Sequence, residues 1–192
     1  MSGIVGTSGS KSHTIGSIIH PTGYVHQVII LGEEGAGEDC PSKGTANTTF
    51  EDSDINTSSF VTRRSSSNSM LIFELNSGMS NITNSSYAGY SALTLNSSGA
   101  DTTYDIADDV YGANIGADHS NRYHPTNTGY MNQMQRWLYD PARACRPNNM
   151  TSYSAGATLY PRIFIKVNNT SATYNIVHQS SYYIFSVSEI EI

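Results

Sequence analysis

Ser91, in the run Gly89-Tyr90-Ser91-Ala92-Leu93, is where a nucleophilic serine would be sought first. A nucleophile elbow needs a second glycine two residues after the serine and a strand-turn-helix around it, and neither is present. Gly6-Thr7-Ser8-Gly9-Ser10-Lys11-Ser12 resembles a phosphate-binding loop only faintly, because Ser10 stands where that loop needs glycine and no strand precedes it. Glycoside cleavage requires two carboxyl groups about 5–9 Å apart, one of them held protonated by its surroundings. The candidates are Glu33, Glu34, Asp105 and Asp109, all in polar, loop-like sequence where solvated carboxylates are the plainer reading.

Metal chemistry is no better served. His119 and His124 are five apart, which matches neither the i, i+4 helical pair nor the i, i+2 strand pair that would aim both rings at one ion. His13, His20, His26 and His178 are isolated along the chain, and the acidic patch Asp101, Asp105, Asp108 and Asp109 lacks the spacing of a calcium loop. The sequence therefore predicts no catalytic residue, no metal site and no cofactor. Its tyrosines are the more suggestive chemistry. Tyr104, Tyr111, Tyr123 and Tyr130 are interleaved with Asn, Asp and Thr, the equipment of loops that bind sugars or proteins: the ring stacks and the short polar groups adapt. Packing of those loops onto a sheet is the alternative use, and both readings stay open.

Composition restricts the partners. Charged residues make up 14% of the 192, against roughly 25% in an ordinary globular domain. The net charge is −6 and the ten Lys and Arg are scattered, so a nucleic-acid-binding face is not expected. No stretch approaches the roughly 20 apolar residues of a membrane-spanning helix. The first residues contain one Lys and no apolar core, so they do not read as a secretory signal. Two unclustered cysteines, Cys40 and Cys145, read as free thiols rather than a bridge. Eight Asn-x-Ser/Thr sites occur, among them Asn81, Asn84, Asn149 and Asn169; in a chain so rich in Ser, Thr and Asn they are read as chance.

The elements that would position these residues are strands. Tyr24–Leu31 is rich in β-branched residues between two glycines. Thr45–Phe50 is a candidate strand inside a long polar connection, and Phe60–Thr62 is short and extended. Met70–Leu75 reads as a core strand stopped by Asn76-Ser77-Gly78, and Tyr87–Leu95 as another. Tyr130–Tyr139 fits a strand or a helical turn. Leu159–Val167 and Thr173–Val177 read as a pair joined by a tight turn. In Tyr182–Ile192 the apolar residues change face after Val187, which predicts a bulge or a strand that passes between sheets. Residues 1–17 hold only Ile4, Val5 and Ile15 among Gly, Ser and Thr, too little to build a core. The expectation is an all-β, jelly-roll-like antiparallel β-sandwich over residues 18–192, preceded by an extended N-terminal attachment arm, residues 1–17.

Several segments carry a resemblance: VHQVIIL, then SSFVTRRSSSNSMLIFELNSG, WLYDPARA, TLYPRIFIKVNNTSATYNIV and a last strand ending in Ser188-Glu189-Ile190. This order of strands and turns, over residues 24–31 and 58–192, resembles small structural proteins of marine tailed bacteriophages. Arg63-Arg64 and the long 100–129 insertion depart from that pattern, and the insertion leaves the partner open. The resemblance implies a jelly-roll-like virion protein, trimeric like decoration, fibre or tail-tip proteins, assembled in the host cytoplasm and carrying no catalytic residues. Sandwich edges need covering, and three copies around an axis would cover some of them. The last strand, with Tyr183, Phe185, Val187, Ile190 and Ile192, is the expected trimer interface. Ile4, Val5 and Ile15 are the expected particle attachment, and the four tyrosines the expected contact with a host-surface glycan or another partner. A tail fibre or appendage is the leading expectation, capsid decoration the second, and a polysaccharide-degrading tail enzyme the third.

Overall fold

The computed structural model describes residues 21–34, 43–55, 57–84, 86–104, 121–123, 131–140, 152–179 and 181–192. These residues contain eleven strands and no helix: β1 (Val25–Glu34), β2 (Lys43–Thr45), β3 (Glu51–Asp52), β4 (Phe60–Val61), β5 (Ser69–Ile82), β6 (Gly89–Asn96), β7 (Asn121–Tyr123), β8 (Met131–Tyr139), β9 (Thr158–Val167), β10 (Tyr174–Val177) and β11 (Tyr183–Glu191). Every pairing is antiparallel. The described part of the chain is all-β, as its composition predicts.

One sheet is built on β5. Its burial alternates from Ser69 to Ser77, the mark of a strand with one face on the core. β11 pairs with it in unbroken register from Tyr183↔Ser77 to Glu191↔Ser69, β1 lies beyond β11, and β8 runs along the other side. At its far end β5 pairs with β10, which holds β2. The strand does not stop at Asn76-Ser77-Gly78. Those residues take a register shift against β8 instead, and the Gly78 amide donates to the Tyr182 carbonyl at 2.9 Å. Gly78 also leaves space that a methyl group would contest with the Tyr182 ring.

The second sheet is centred on β9, with β6 and then β7 on one side and β3 and β4 sharing the other. A proline in a central strand costs a ladder bond unless its nitrogen points at a gap. The Pro161 carbonyl accepts from Thr57 Oγ1 at 2.7 Å, in the interval between β3 and β4. Nitrogen and carbonyl of one strand residue face the same neighbour, so the missing N–H falls where the edge is interrupted.

β9 and β10 do not form the expected hairpin: they belong to different sheets, and the turn at Asn168–Thr173 carries the chain from one to the other. Both sheets feed one buried cluster, in which Phe60 of β4 lies 6.0 Å from Phe73 of β5, Phe73 6.2 Å from Phe185, and Phe185 6.4 Å from Trp137. β6 is buried on both faces. Its outer side is roofed by Phe50, Tyr104 and Phe164, with the Lys166 ammonium over the Phe50 and Tyr90 rings.

Candidate functional site

The most concentrated polar chemistry lies where β11 ends. Alternation aims Tyr183, Phe185, Val187 and then Glu189 at the interior, and all four are fully buried. The change of face predicted here is therefore no bulge. β11 stays regular, and a carboxylate occupies an inward position. The two register shifts are in β1, between Val25 and Gln27 and between Ile30 and Gly32. The first sets His26 and Gln27 together against the end of β11.

Four donors saturate Glu189. Its Oε1 accepts from the Arg64 amide at 2.7 Å and from Ser69 Oγ at 3.2 Å; its Oε2 accepts from Gln27 Nε2 at 2.7 Å and the Arg63 amide at 2.8 Å. All four are neutral groups, so the buried charge is held by oriented dipoles. Next to it, Glu191 accepts from His26 Nε2 at 2.5 Å and from Arg64 at 3.1 and 3.2 Å. The hydrogen bond from His26 does most to hold the Glu191 carboxyl below the usual range; burial opposes it and Arg64 adds to it. Tyr153 closes the group, its hydroxyl 3.2 Å from Ser69 Oγ. Burial pushes that hydroxyl well above the ordinary tyrosine value, against the opposing Ser69 hydrogen bond.

This cluster could be mistaken for an acid–base centre. A general base needs an acceptor free to meet a substrate proton, and each Glu189 oxygen already has two donors. Its physical work is to tie the 62–66 segment, β1 and β11 together. Sequence reasoning assigned it no role, although a glutamate in an inward-facing register was the visible signal.

Of the expected partner-contact tyrosines, Tyr104 is half-buried, its ring 4.2 Å from Phe50 and 5.6 Å from Phe164, so it packs its own segment onto the sheet. Tyr123 ends β7. Tyr111 and Tyr130 lie outside the described residues, as do Ile4, Val5 and Ile15, Cys40 and Cys145, His119 and His124, and Asp105, Asp108 and Asp109. Glu33 and Glu34 end β1 rather than lying in a loop. Asn81 is buried and its amide oxygen accepts from Asn175 at 2.7 Å. Among the described residues no three His, Cys, Asp or Glu side chains come together as a metal site, and no helix could cross a membrane.

Tyr183, Phe185 and Val187 line the chain's own core, so they are not available to a partner copy. Ile190 is half-buried and Ile192 is exposed. The accessible side of this sheet is its outer face, whose cross-strand rows follow from the registers. One row is Glu33, Ile184, Asn76 and Met134; the next is Ile30, Ser186, Glu74 and Arg136; the third is Val28, Ser188, Ile72 and Leu138. Val28 and Met134 are each 64% exposed and Ile30 55%, a run of large apolar groups on the two margins with serines between. Exposed apolar patches of this kind mark interaction surfaces. No protein-family profile matches the sequence, and no curated protein matches it.

Proposed function

We propose that this chain is a non-enzymatic structural component of a tailed-phage virion, a trimeric tail-fibre or appendage protein that contacts the host surface. The observation that carries the assembly role is the outer face of the β1-β11-β5-β8 sheet, with Val28, Ile30, Met134 and Ile184 in solvent. A domain that works alone gains nothing from leaving such groups wet, whereas one repeated in a particle gains contact area. Two antiparallel sheets over a shared core, with a connection that passes between them, support a jelly-roll-like sandwich as the architecture. The attachment arm, residues 1–17, rests on their Gly, Ser and Thr content, with only Ile4, Val5 and Ile15 to meet a partner, and the virion as location rests on the resemblance of the strand order to marine-phage structural proteins.

Low charge suits copies packed closely without self-repulsion. The reading involves no catalytic step, and within the Glu189 cluster the four donors leave the carboxyl no free acceptor to serve as a base. Immunogold labelling of purified particles tests it. Gold on the tail or its appendages is the expected outcome; gold over the head would replace the fibre by capsid decoration, and unlabelled particles would remove the virion role. New reducing ends after incubation with host capsule or lipopolysaccharide would overturn the non-enzymatic part.

A further inference from the structure

We infer that the outer face of the β1-β11-β5-β8 sheet is covered by further copies of this chain, the β1 margin of one copy meeting the β8 margin of the next, with Glu33 and Arg136 pairing across the contact. The inference rests on the trimer reading and says which surface makes it.

The occupant follows from the face's charges. Its three rows hold only Glu33, Glu74 and Arg136, and Glu74 already accepts from Arg136 Nε at 2.9 Å. A polyphosphate chain or an anionic lipid surface would find a single cation there, itself paired. A second copy finds complementary groups. Glu33, exposed, stands on one margin, and Arg136, its side chain 60% exposed, stands on the other. Because they sit on opposite margins, a head-to-tail contact brings unlike charges together. They are one row apart, which is about 7 Å along the strands at about 3.4 Å per residue, within reach of an arginine. A three-fold axis parallel to β11 keeps the rows of neighbouring copies at the same height, so the offset is preserved. The apolar groups match as well: Val28 and Ile30 of one copy come against Leu138 and Met134 of the next. Ser186 and Ser188 then line the axis, where short side chains fit.

The face is of the right order of size: nine residues of β11 span about 30 Å and four strands about 19 Å, a flat footprint of roughly 600 Å² shared between the two neighbours, before side-chain relief is added, against about 800 Å² per partner in a stable interface.

The test is light scattering of the full chain, with circular dichroism to confirm folding. Val28→Glu and Met134→Glu change only exposed side chains, so the fold should survive both. Wild type should give about 62 kDa, three times the 20.8 kDa chain. Each substitution should raise the dissociation concentration at least tenfold. Arg136→Glu should do the same, and adding Glu33→Arg should recover most of the loss. A folded trimer indifferent to Val28→Glu and Met134→Glu would overturn this inference and leave the trimer reading standing. A wild-type mass of one chain would overturn both. A two-chain mass would end the three-fold arrangement and its margin-to-margin contact.

Discussion

Glu189 carries a full charge into a place with no solvent, and its four donors explain why that is tolerable. Backbone amides of Arg63 and Arg64 are fixed in direction by the turn that follows β4, so they lose little freedom on binding the carboxylate. Glu189→Gln keeps the volume but turns an –NH₂ toward at least one N–H or O–H donor. The expected cost is about 2–3 kcal/mol, read as a lower urea midpoint with unchanged m, and Glu189→Ala should cost more. Glu191 gives an acid limb. Its folded carboxyl titrates below the unfolded value near 4.5, so the stability it contributes is complete above that value and disappears as pH falls through the lower, folded one. Thermal midpoints between pH 6 and 2.5 should fall less steeply in Glu191→Gln than in wild type. Tyr153 gives the opposite limb: its folded hydroxyl titrates above the unfolded value of 10.0, so its contribution is complete below pH 10 and is lost as pH rises beyond it. Tyr153→Phe should flatten the alkaline fall, and an unchanged slope would mean that another group sets it.

Among the elements, those with clean two-residue alternation were legible in the sequence. β1, β6, β9 and β11 lie within a few residues of their predicted spans, and β5 begins within one residue of its predicted start but runs on from Leu75 to Ile82, because each buries one face or both and must write that in its side chains. What could not be read was partnership. Leu159–Val167 and Thr173–Val177 look like a hairpin from turn residues alone, yet sheet membership is decided by long-range packing. Tyr174 is fully buried, and its hydroxyl accepts from Gln135 Nε2 at 2.8 Å across to β8. Its ring also presses on Gly89 at the start of β6, where an added methyl would overlap it. Gly89→Ala should therefore destabilise by about 1–3 kcal/mol through overpacking between the two sheets. Chemical denaturation measures this, and a neutral result would mean that Tyr174 can move aside. β2 and β3 are three and two residues long, too short to write any periodicity, whereas the equally short β4 coincides with the expected extended segment Phe60–Thr62. Only the candidate Thr45–Phe50 came near β2 and β3, and it fell between them. The Glu189 cluster stayed hidden for the same reason as the sheet order: its members come from positions 26–27, 63–69, 153 and 189–191, and nothing local links them.

At the scale of the whole molecule, the described strands begin at Val25, and the first of the described residues in the buried cluster is Leu31. Residues 1–17 contribute three large apolar side chains beyond the initial Met1, Ile4, Val5 and Ile15, and sit at the far end of a segment that is tied in at Gly23, whose amide donates to the Glu191 carbonyl at 2.8 Å. That tie lies beside the Glu191 clamp, among the described residues. Attachment through those residues and association through the sheet face should then separate experimentally. Truncation to a chain starting at Ser17 should change the urea midpoint by less than 1 kcal/mol equivalent, in keeping with so little apolar area removed. The truncated chain should keep the same oligomer mass, because Val28, Ile30, Met134 and Arg136 are all retained. It should fail to co-sediment with particles that lack this protein, since the isoleucines and valine suited to lie as an added strand on a partner are gone. Full-strength binding by the truncated chain would transfer attachment to the strands and loops of the domain. A lost oligomer would instead place residues 1–17 between copies, against the outer face that neighbouring chains are proposed to cover.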